Sequence, residues 1–355
     1  MDRYSLLMQR CLQLAKKGLG STYPNPLVGA LIVHHGRIIG QGYHYKAGLA
    51  HAEVKAIQSV KDPAQLKEST LIVNLEPCSH FGKTPPCTHA IIKSGIKKVV
   101  IGTKDPYPQV NGRGIQILKD HGIEVIQSVE EPSCLKNNKR FFCFVNNKRP
   151  YIVLKWAQSI DGYMAPPKVS RVPNQPFWLT SPSSRKLVHQ WRFQENAILV
   201  GAQTAVDDNP NLLARYWKKP PRKEIRVLID PQLRVSKRSQ LYDGSALTYV
   251  LTNKFVSHKS RNLEIIKISD QYPISIDKLL DQLYLKNIQS IMVEGGQKTL
   301  QHFINSSLWD EARIFTSPQL LKHGLTVPKL DTSNYLIENF MIENDRLKII
   351  FRSPI

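Results

Sequence analysis

Apolar positions recur along this chain in two alternating periods. Within residues 4–17, Leu6, Leu7, Cys11 and Leu14 fall at helical spacing and the run stops at Gly18, which predicts a helix. Residues 28–33 and 37–42 read as two strands of a hairpin that turns at His35-Gly36. Residues 51–60 read as a helix and 70–75 as a buried strand, and the stretch that opens at Thr88 reads as a helix stopping before Gly95. A strand over 97–102, a helix over 114–121 closed by Gly122, and a strand over 123–126 continue the alternation. Such βαβ-type alternation predicts an α/β sandwich, with His51, Cys78 and Cys87 at helix starts.

The pattern breaks at the polar run Asn146-Asn147-Lys148-Arg149-Pro150, and a new apolar strand starts at Tyr151. A domain boundary is placed there, giving domains 1–147 and 148–355; a chain of 355 residues is long enough for two cores. The second domain alternates again, with strands at 197–200, 225–229, 247–251 and 290–293 and an amphipathic helix at 276–285. Residues 166–176, rich in proline and polar side chains, read as a loop.

Composition narrows the class. With 41% hydrophobic and 22% charged residues the chain is globular. It shows no secretory pattern and no apolar run of ~18 residues, and its odd cysteine count of five fits a reducing compartment, so a cytoplasmic protein with no membrane partner is expected. The net charge of +21 invites a nucleic-acid reading. Its distribution argues against one: the first 147 residues carry 19 Lys and Arg against 10 Asp and Glu, the remainder 30 against 18, with no basic tail or aromatic-interleaved stripe. A solvated basic surface acting on phosphorylated small molecules is the favoured reading, with no nucleic-acid partner.

The chemistry concentrates in His51-Ala52-Glu53, Glu76-Pro77-Cys78 and Pro86-Cys87. His51, Cys78 and Cys87 make three ligands for a catalytic zinc, whose open fourth position takes water and lowers its pKa to roughly 7. Glu53 is then free to move protons, as in zinc deaminases that attack a base carbon bearing an amine. Cys87 alone would read as an ordinary buried thiol; it is the joint pattern that points to zinc, and a structural site would add a fourth Cys or His at close spacing. Cys11, Cys134 and Cys143 show no such pairing. The inter-cysteine loop carries His80 and Lys83, two candidate phosphate binders. In the second domain, Val293-Glu294-Gly295-Gly296 stands at a strand end before a helical stretch, where glycine amides suit a dinucleotide phosphate, although a Gly-Gly pair is also simply a turn.

These residues carry a resemblance over nearly the whole chain. Pro24-Asn25-Pro26-Leu27-Val28-Gly29, His51-Ala52-Glu53, Leu75-Glu76-Pro77-Cys78-Ser79-His80, Thr84-Pro85-Pro86-Cys87, Ser159-Ile160-Asp161-Gly162, Trp178-Leu179-Thr180-Ser181 and Val293-Glu294-Gly295-Gly296 resemble the bacterial bifunctional riboflavin-biosynthesis deaminase/reductase family. The resemblance implies a cytidine-deaminase-like three-layer α/β/α domain followed by a dihydrofolate-reductase-like α/β domain. It implies Zn2+ on His51, Cys78 and Cys87, with Glu53 as proton shuttle, and a phosphorylated pyrimidine held by Asn25, His44, His80 and Lys83. It also implies NADPH on Gln158, Trp178, Thr204, Asp208, Gly295 and Gly296, and substrate on Lys155, Arg192, Leu212, Arg215 and Glu294; because reduction of a ribose aldehyde needs a polarising cation, Lys155 is the catalytic candidate at the reacting carbonyl. A homo-oligomer is expected. By itself His44, between Tyr43 and Tyr45, would read as a polar surface residue.

Tyr107, Tyr163, Pro176 and Asn209 depart from the family's usual residues. Those in the second domain leave open a deaminase with a purely structural appendage. A base deaminase whose basic second domain captures RNA is a third reading, which lacks aromatic-plus-basic clusters to support it.

Overall fold

The computed structural model describes residues 3–81, 85–216, 224–256, 258–268 and 274–352. They divide into two compact units, the first ending at Asn147 and the second beginning at Lys148.

The first unit runs α1 (Arg3–Lys16), β1 (Gly29–His34), β2 (Arg37–Tyr43), α2 (Ala52–Gln58), β3 (Ser69–Leu75), α3 (Cys87–Ser94), β4 (Lys98–Thr103), α4 (Arg113–Asp120), β5 (Glu124–Ile126), α5 (Glu131–Asn137) and α6 (Lys139–Asn147). Its sheet has the order β2-β1-β3-β4-β5, with β1 antiparallel to both neighbours and β3, β4 and β5 parallel. Strand side chains alternate between faces, and residue parity decides the layers. Ala30, Ile32, Leu71, Val73, Val99 and Ile101 pack against α2, α3 and α4 through Ala52, Ala56, Ile91, Ile115 and Leu118. Leu31, Val33, Ile72 and Val100 face the other way, onto Met8, Cys11 and Leu14 of α1 and Cys134 of α5. The result is three layers, α/β/α. The hairpin turn uses His35 and Gly36 in the left-handed region, as a two-residue turn between twisted strands requires.

The second unit runs β6 (Tyr151–Ser159), β7 (Tyr163–Ala165), α7 (Pro182–Gln194), β8 (Ala197–Gly201), α8 (Ala202–Asp208), β9 (Ile225–Ile229), β10 (Thr248–Thr252), β11 (His258–Ser260), β12 (Leu263–Lys267), α9 (Ile276–Leu285), β13 (Ser290–Val293), α10 (Gln297–Asn305), β14 (Glu311–Ser317), β15 (Leu325–Thr326), β16 (Leu336–Ile342) and β17 (Asp345–Phe351). Among the described residues the main sheet has the order β11-β12-β10-β9-β8-β13-β6-β14-β17-β16. Strands β12 to β14 of that order are parallel, and β11, β17 and β16 add antiparallel edges. The central β8 and β13 are buried along their whole length, so they read as continuous apolar runs. The strand opening at Tyr151 runs on to Ser159 because β14 pairs with it from Val153 to Ser159, whereas β13 flanks only Tyr151–Leu154. Helices α5, α6 and α7 and the closing strands β14, β16 and β17 were not anticipated from the apolar pattern. The polar and aromatic residues of α7 and the half-exposed β16 blur both periods. No helix among the described residues is long and apolar enough to cross a membrane.

Candidate active sites in the two units

The first site is built on the edge where α2 meets β2. A Cβ added at Gly40 would lie 2.5 Å from the Ala56 carbonyl oxygen, and one at Gly42 2.5 Å from that of Ala52, so α2 rests directly on bare strand backbone. That close approach sets His51, the N-cap of α2, and Glu53 in its first turn. Cys87 is the first residue of α3, and Cys78 lies in the loop after β3, so two of the three ligands sit at helix starts and the third does not. His51 Nδ1 lies 3.5 Å from Cys78 Sγ and 3.3 Å from Cys87 Sγ, and all three ligand atoms fall within 4.8 Å of one another. A tetrahedral zinc with bonds of roughly 2.0–2.3 Å spaces its ligand atoms by roughly 3.5–3.8 Å, so the donor set fits the metal in both chemistry and reach. The Cys87 amide donates to Cys78 Sγ at 3.3 Å. A hydrogen bond from the Cys87 thiol, and further ones from His51 and that amide, pull Cys78 down to about 4 against its burial, which makes it the thiolate of the pair. Burial, and then the charge on Cys78, push Glu53 up to about 7.

The segment before β1 is held by buried amides. Asn74 of β3 accepts from the Gly29 amide at 2.8 Å and donates to the Leu27 carbonyl at 3.0 Å, and Asn138 accepts from the Leu27 amide at 2.7 Å. This fixes Asn25, whose Nδ2 donates to His44 Nε2 at 3.0 Å, while His44 Nδ1 donates to the Ala50 carbonyl at 3.4 Å. Those two bonds define a neutral His44, and burial holds its pKa down at about 4. His44 is therefore not a surface residue: it is 3% exposed, its ring 5.1 Å from that of His51. His80 is exposed on the loop that leads away from Cys78, and Lys83 lies outside the described residues.

Glu76 was missed as a functional part. Fully buried, it accepts four backbone N–H bonds: Oε2 from Asp105 at 3.2 Å and Gly112 at 2.9 Å, Oε1 from Gly114 at 2.9 Å and Ile115 at 3.3 Å. A carboxylate at the start of α4 suits the helix dipole and ties that helix to the chain two residues before Cys78. Its place in Glu76-Pro77-Cys78 was the only signal in the sequence.

In the second unit, the residues expected at a reductase site gather toward the carboxyl ends of β6, β8 and β13, where open parallel sheets form their crevices. Val293 pairs with Leu154 and Leu199, so Glu294 emerges beside Lys155 of β6. Arg192 of α7 clamps Glu294 bidentately, Nε to Oε1 at 2.6 Å and Nη2 to Oε2 at 2.7 Å. Burial alone would raise the Glu294 carboxyl; Arg192 and then Lys155 hold it down at about 2. Burial lowers the Lys155 ammonium, with Glu294 working against that shift. Gly296 caps α10, and a Cβ there would meet Thr204 Oγ1 at 2.9 Å, so the bare Gly295-Gly296 backbone and the Thr204 hydroxyl line a narrow cradle. Phosphate chemistry fits such a cradle at a helix start. Gln158 accepts from Trp156 Nε1 at 2.9 Å, Trp178 is half-exposed under Arg185 at 4.9 Å, and Asp208 closes α8 with its carboxyl raised to about 6 by burial and then by Asp207. Leu212 is buried and Arg215 exposed on the loop after α8.

Residues 1–103 match the cytidine and deoxycytidylate deaminase zinc-binding region, and residues 150–328 match the RibD C-terminal domain. The riboflavin biosynthesis protein RibD of Aquifex aeolicus is 39% identical over 91% of this chain and 89% of its own. The chain belongs to the RibD family. A solved diaminohydroxyphosphoribosylaminopyrimidine deaminase/5-amino-6-(5-phosphoribosylamino)uracil reductase from Thermotoga maritima is 36% identical, with a TM-score of 0.87 and 98% of both chains covered. RibD of Acinetobacter baumannii is 30% identical, with a TM-score of 0.86 over 98% of both chains. The RibD fold is thus present in full: a cytidine-deaminase-like unit followed by a dihydrofolate-reductase-like one, with zinc and NADPH as the cofactors of a bifunctional deaminase/reductase.

Within the RibD frame, one departure has a structural account. Asn209 is the C-cap of α8 in the left-handed region, which Asn tolerates, and its Oδ1 accepts from Ser239 Oγ at 3.0 Å and the Gln240 amide at 2.9 Å. Tyr163 opens β7, its amide donating to Ser159 Oγ at 3.0 Å. Nothing in the structure explains Pro176.

Proposed function

We propose that the first unit deaminates 2,5-diamino-6-(5-phosphoribosylamino)pyrimidin-4(3H)-one to 5-amino-6-(5-phosphoribosylamino)uracil, and that the second reduces the ribose of that product to ribitol with NADPH. The observation that carries this reading is the presence in one chain of both parts: the His51, Cys78 and Cys87 donor set with Glu53 beside it, and the Lys155, Glu294 and Gly295-Gly296 crevice.

Bound zinc supplies a water acidic enough to act as a nucleophile at neutral pH. Glu53 takes a proton from the attacking water and delivers it to the departing amino nitrogen. It is buried and lies outside the three-residue donor set. Asn25, oriented by His44, faces the pyrimidine edge, and His80 and Lys83 meet the ribose phosphate. In the second unit NADPH supplies the reducing electrons. Lys155 gives a proton to the ring oxygen as the C1′–O4′ bond of the ribose opens, C1′ staying bonded to the amino nitrogen and taking the hydride; Glu294 and Arg192 hold the sugar side, and Gly295, Gly296 and Thr204 admit the cofactor phosphates. Gln158, Trp178 and Asp208 complete the cofactor side, and Leu212 and Arg215 the substrate side.

The five free cysteines support a reducing cytoplasm as the setting. The apolar residues Leu336, Phe340 and Met341, exposed on edge strand β16, support a homo-oligomer.

Mass spectrometry of the products with and without NADPH tests the reading: the deaminated compound alone without NADPH, the ribitol compound with it. Glu53→Gln should keep zinc while ammonia release falls by a factor of about 100 or more. Near-normal ammonia release would mean that another group moves the proton. The same variant, given the deaminated compound and NADPH, should still reduce it.

A further inference from the structure

Residues 209–216 form no regular element, yet the backbone of this stretch is tied down at nearly every step. Leu212 stands in the left-handed region at φ +56°, unusual for a branched apolar residue. The Asn211 carbonyl accepts from Arg226 Nε at 2.9 Å, the Leu213 carbonyl from Arg192 Nη1 at 3.5 Å, and the Ala214 amide donates to Glu224 Oε2 at 3.2 Å. The Arg215 amide is shared between His189 Nδ1 at 3.1 Å and the Leu213 carbonyl at 3.0 Å, so His189 supplies its only tie outside the loop among the described residues. Arg226, Glu224 and His189 are 0%, 2% and 4% exposed. Buried side chains reaching out to loop backbone are costly unless satisfied, so they impose one geometry on the loop.

His189 and Arg192 lie three residues apart on α7 and so share one face. From that face Arg192 grips Glu294 and the Leu213 carbonyl together, while His189 holds the next-but-one residue, Arg215. An imidazole can accept at Nδ1 only when that nitrogen carries no proton. The neutral form is kept by burial and by the cations Arg192 and Arg215 near the ring, although Glu294 and the Leu213 backbone work the other way. The ring also packs edge-on to Tyr216 at 4.6 Å.

We infer that His189 is a positioning residue of the reductase: through its Nδ1 it fixes the Arg215 end of the substrate-facing loop at a set distance from Glu294. The inference rests on the proposed reductase function. His189 itself touches no substrate; it acts through the loop backbone.

The test uses the full chain with His189→Asn and His189→Gln, assayed with the deaminated compound and NADPH. The Asn Oδ1 falls near the place of Nδ1 and keeps the acceptor, whereas the Gln Oε1 falls near Nε2 and does not. His189→Gln should raise the KM for the phosphoribosylaminouracil about tenfold, since the Arg215 amide keeps only its local bond to the Leu213 carbonyl and the loop end loses its tie to α7, with the Kd for NADPH and ammonia release in the deaminase step unchanged. His189→Asn should stay within about threefold of the parent in KM. Equal KM values for the two variants, or a loss in Gln confined to kcat or to NADPH affinity, would overturn the inference. A parent protein that does not reduce the compound at all would instead overturn the proposed function.

Discussion

Replacing Glu76 by Gln tests whether the buried carboxylate organises the first site. Its two oxygens take two backbone amides each, at 2.9–3.3 Å. The substitution keeps the shape but turns one oxygen into an N–H donor, so one pair of amides, either those of Asp105 and Gly112 or those of Gly114 and Ile115, faces a donor instead of an acceptor. Hydrogen bonds to a charged group contribute roughly 1.5–3 kcal/mol each. Two lost bonds, with the other pair retained, place the cost near the lower end of the sum, at about 3 kcal/mol. For a unit of this size each kcal/mol moves the midpoint by roughly 2–4 °C, so the Tm of the first unit should fall by about 6–12 °C. Circular dichroism melts of the full chain, with zinc content measured on the same samples, read both consequences: a lower transition and, because Cys78 lies two residues on, looser zinc. A Tm within about 2 °C of the parent would refute the reasoning, since it would mean that the four amides find other partners at no cost.

Cys78→Ser and Cys87→Ser should each lose most of the bound zinc, because a hydroxyl replaces a thiolate in a three-residue donor set; metal analysis showing about one zinc per chain in either variant would rule that residue out as a ligand. Gly296→Asp should abolish NADPH binding while leaving the deaminase active, since its Cβ would meet Thr204 Oγ1 at 2.9 Å and its charge would oppose phosphate; fluorescence titration with NADPH measures it. His189, held down at about 4 chiefly by burial, binds a proton less readily folded than unfolded. The stability it contributes is therefore complete above its unfolded pKa of about 6.5 and is lost as the pH falls toward 4, by up to ~3 kcal/mol. Urea unfolding of the second unit at pH 7 and pH 4.5 should show a smaller acid loss in His189→Asn than in the parent, and an equal loss would contradict the assignment.

The alternation of periods, the hairpin at His35-Gly36, the helix closed by Gly95 and the break at Asn147 were readable from the chain, because a strand buried on both faces and a helix with one apolar stripe write different local patterns. The zinc donors were readable for a related reason: few residue types bind the metal, and two of the three sit at helix starts that local sequence also marks. Strand β16 left a weak periodic signal because, at the sheet edge, it is half-exposed on both faces although its partner β17 is local, and β14 did because its partners β6 and β17 are distant in sequence. The same holds for the polar interior. That His44 is buried, that Asn74 and Asn138 hold the segment before β1, that Glu76 gathers four amides and that His189 holds Arg215 depend on which backbone groups the fold leaves unpaired. A buried polar side chain looks like a surface one in the sequence; only the folded chain, by removing water and presenting an orphaned donor or acceptor, assigns it a partner.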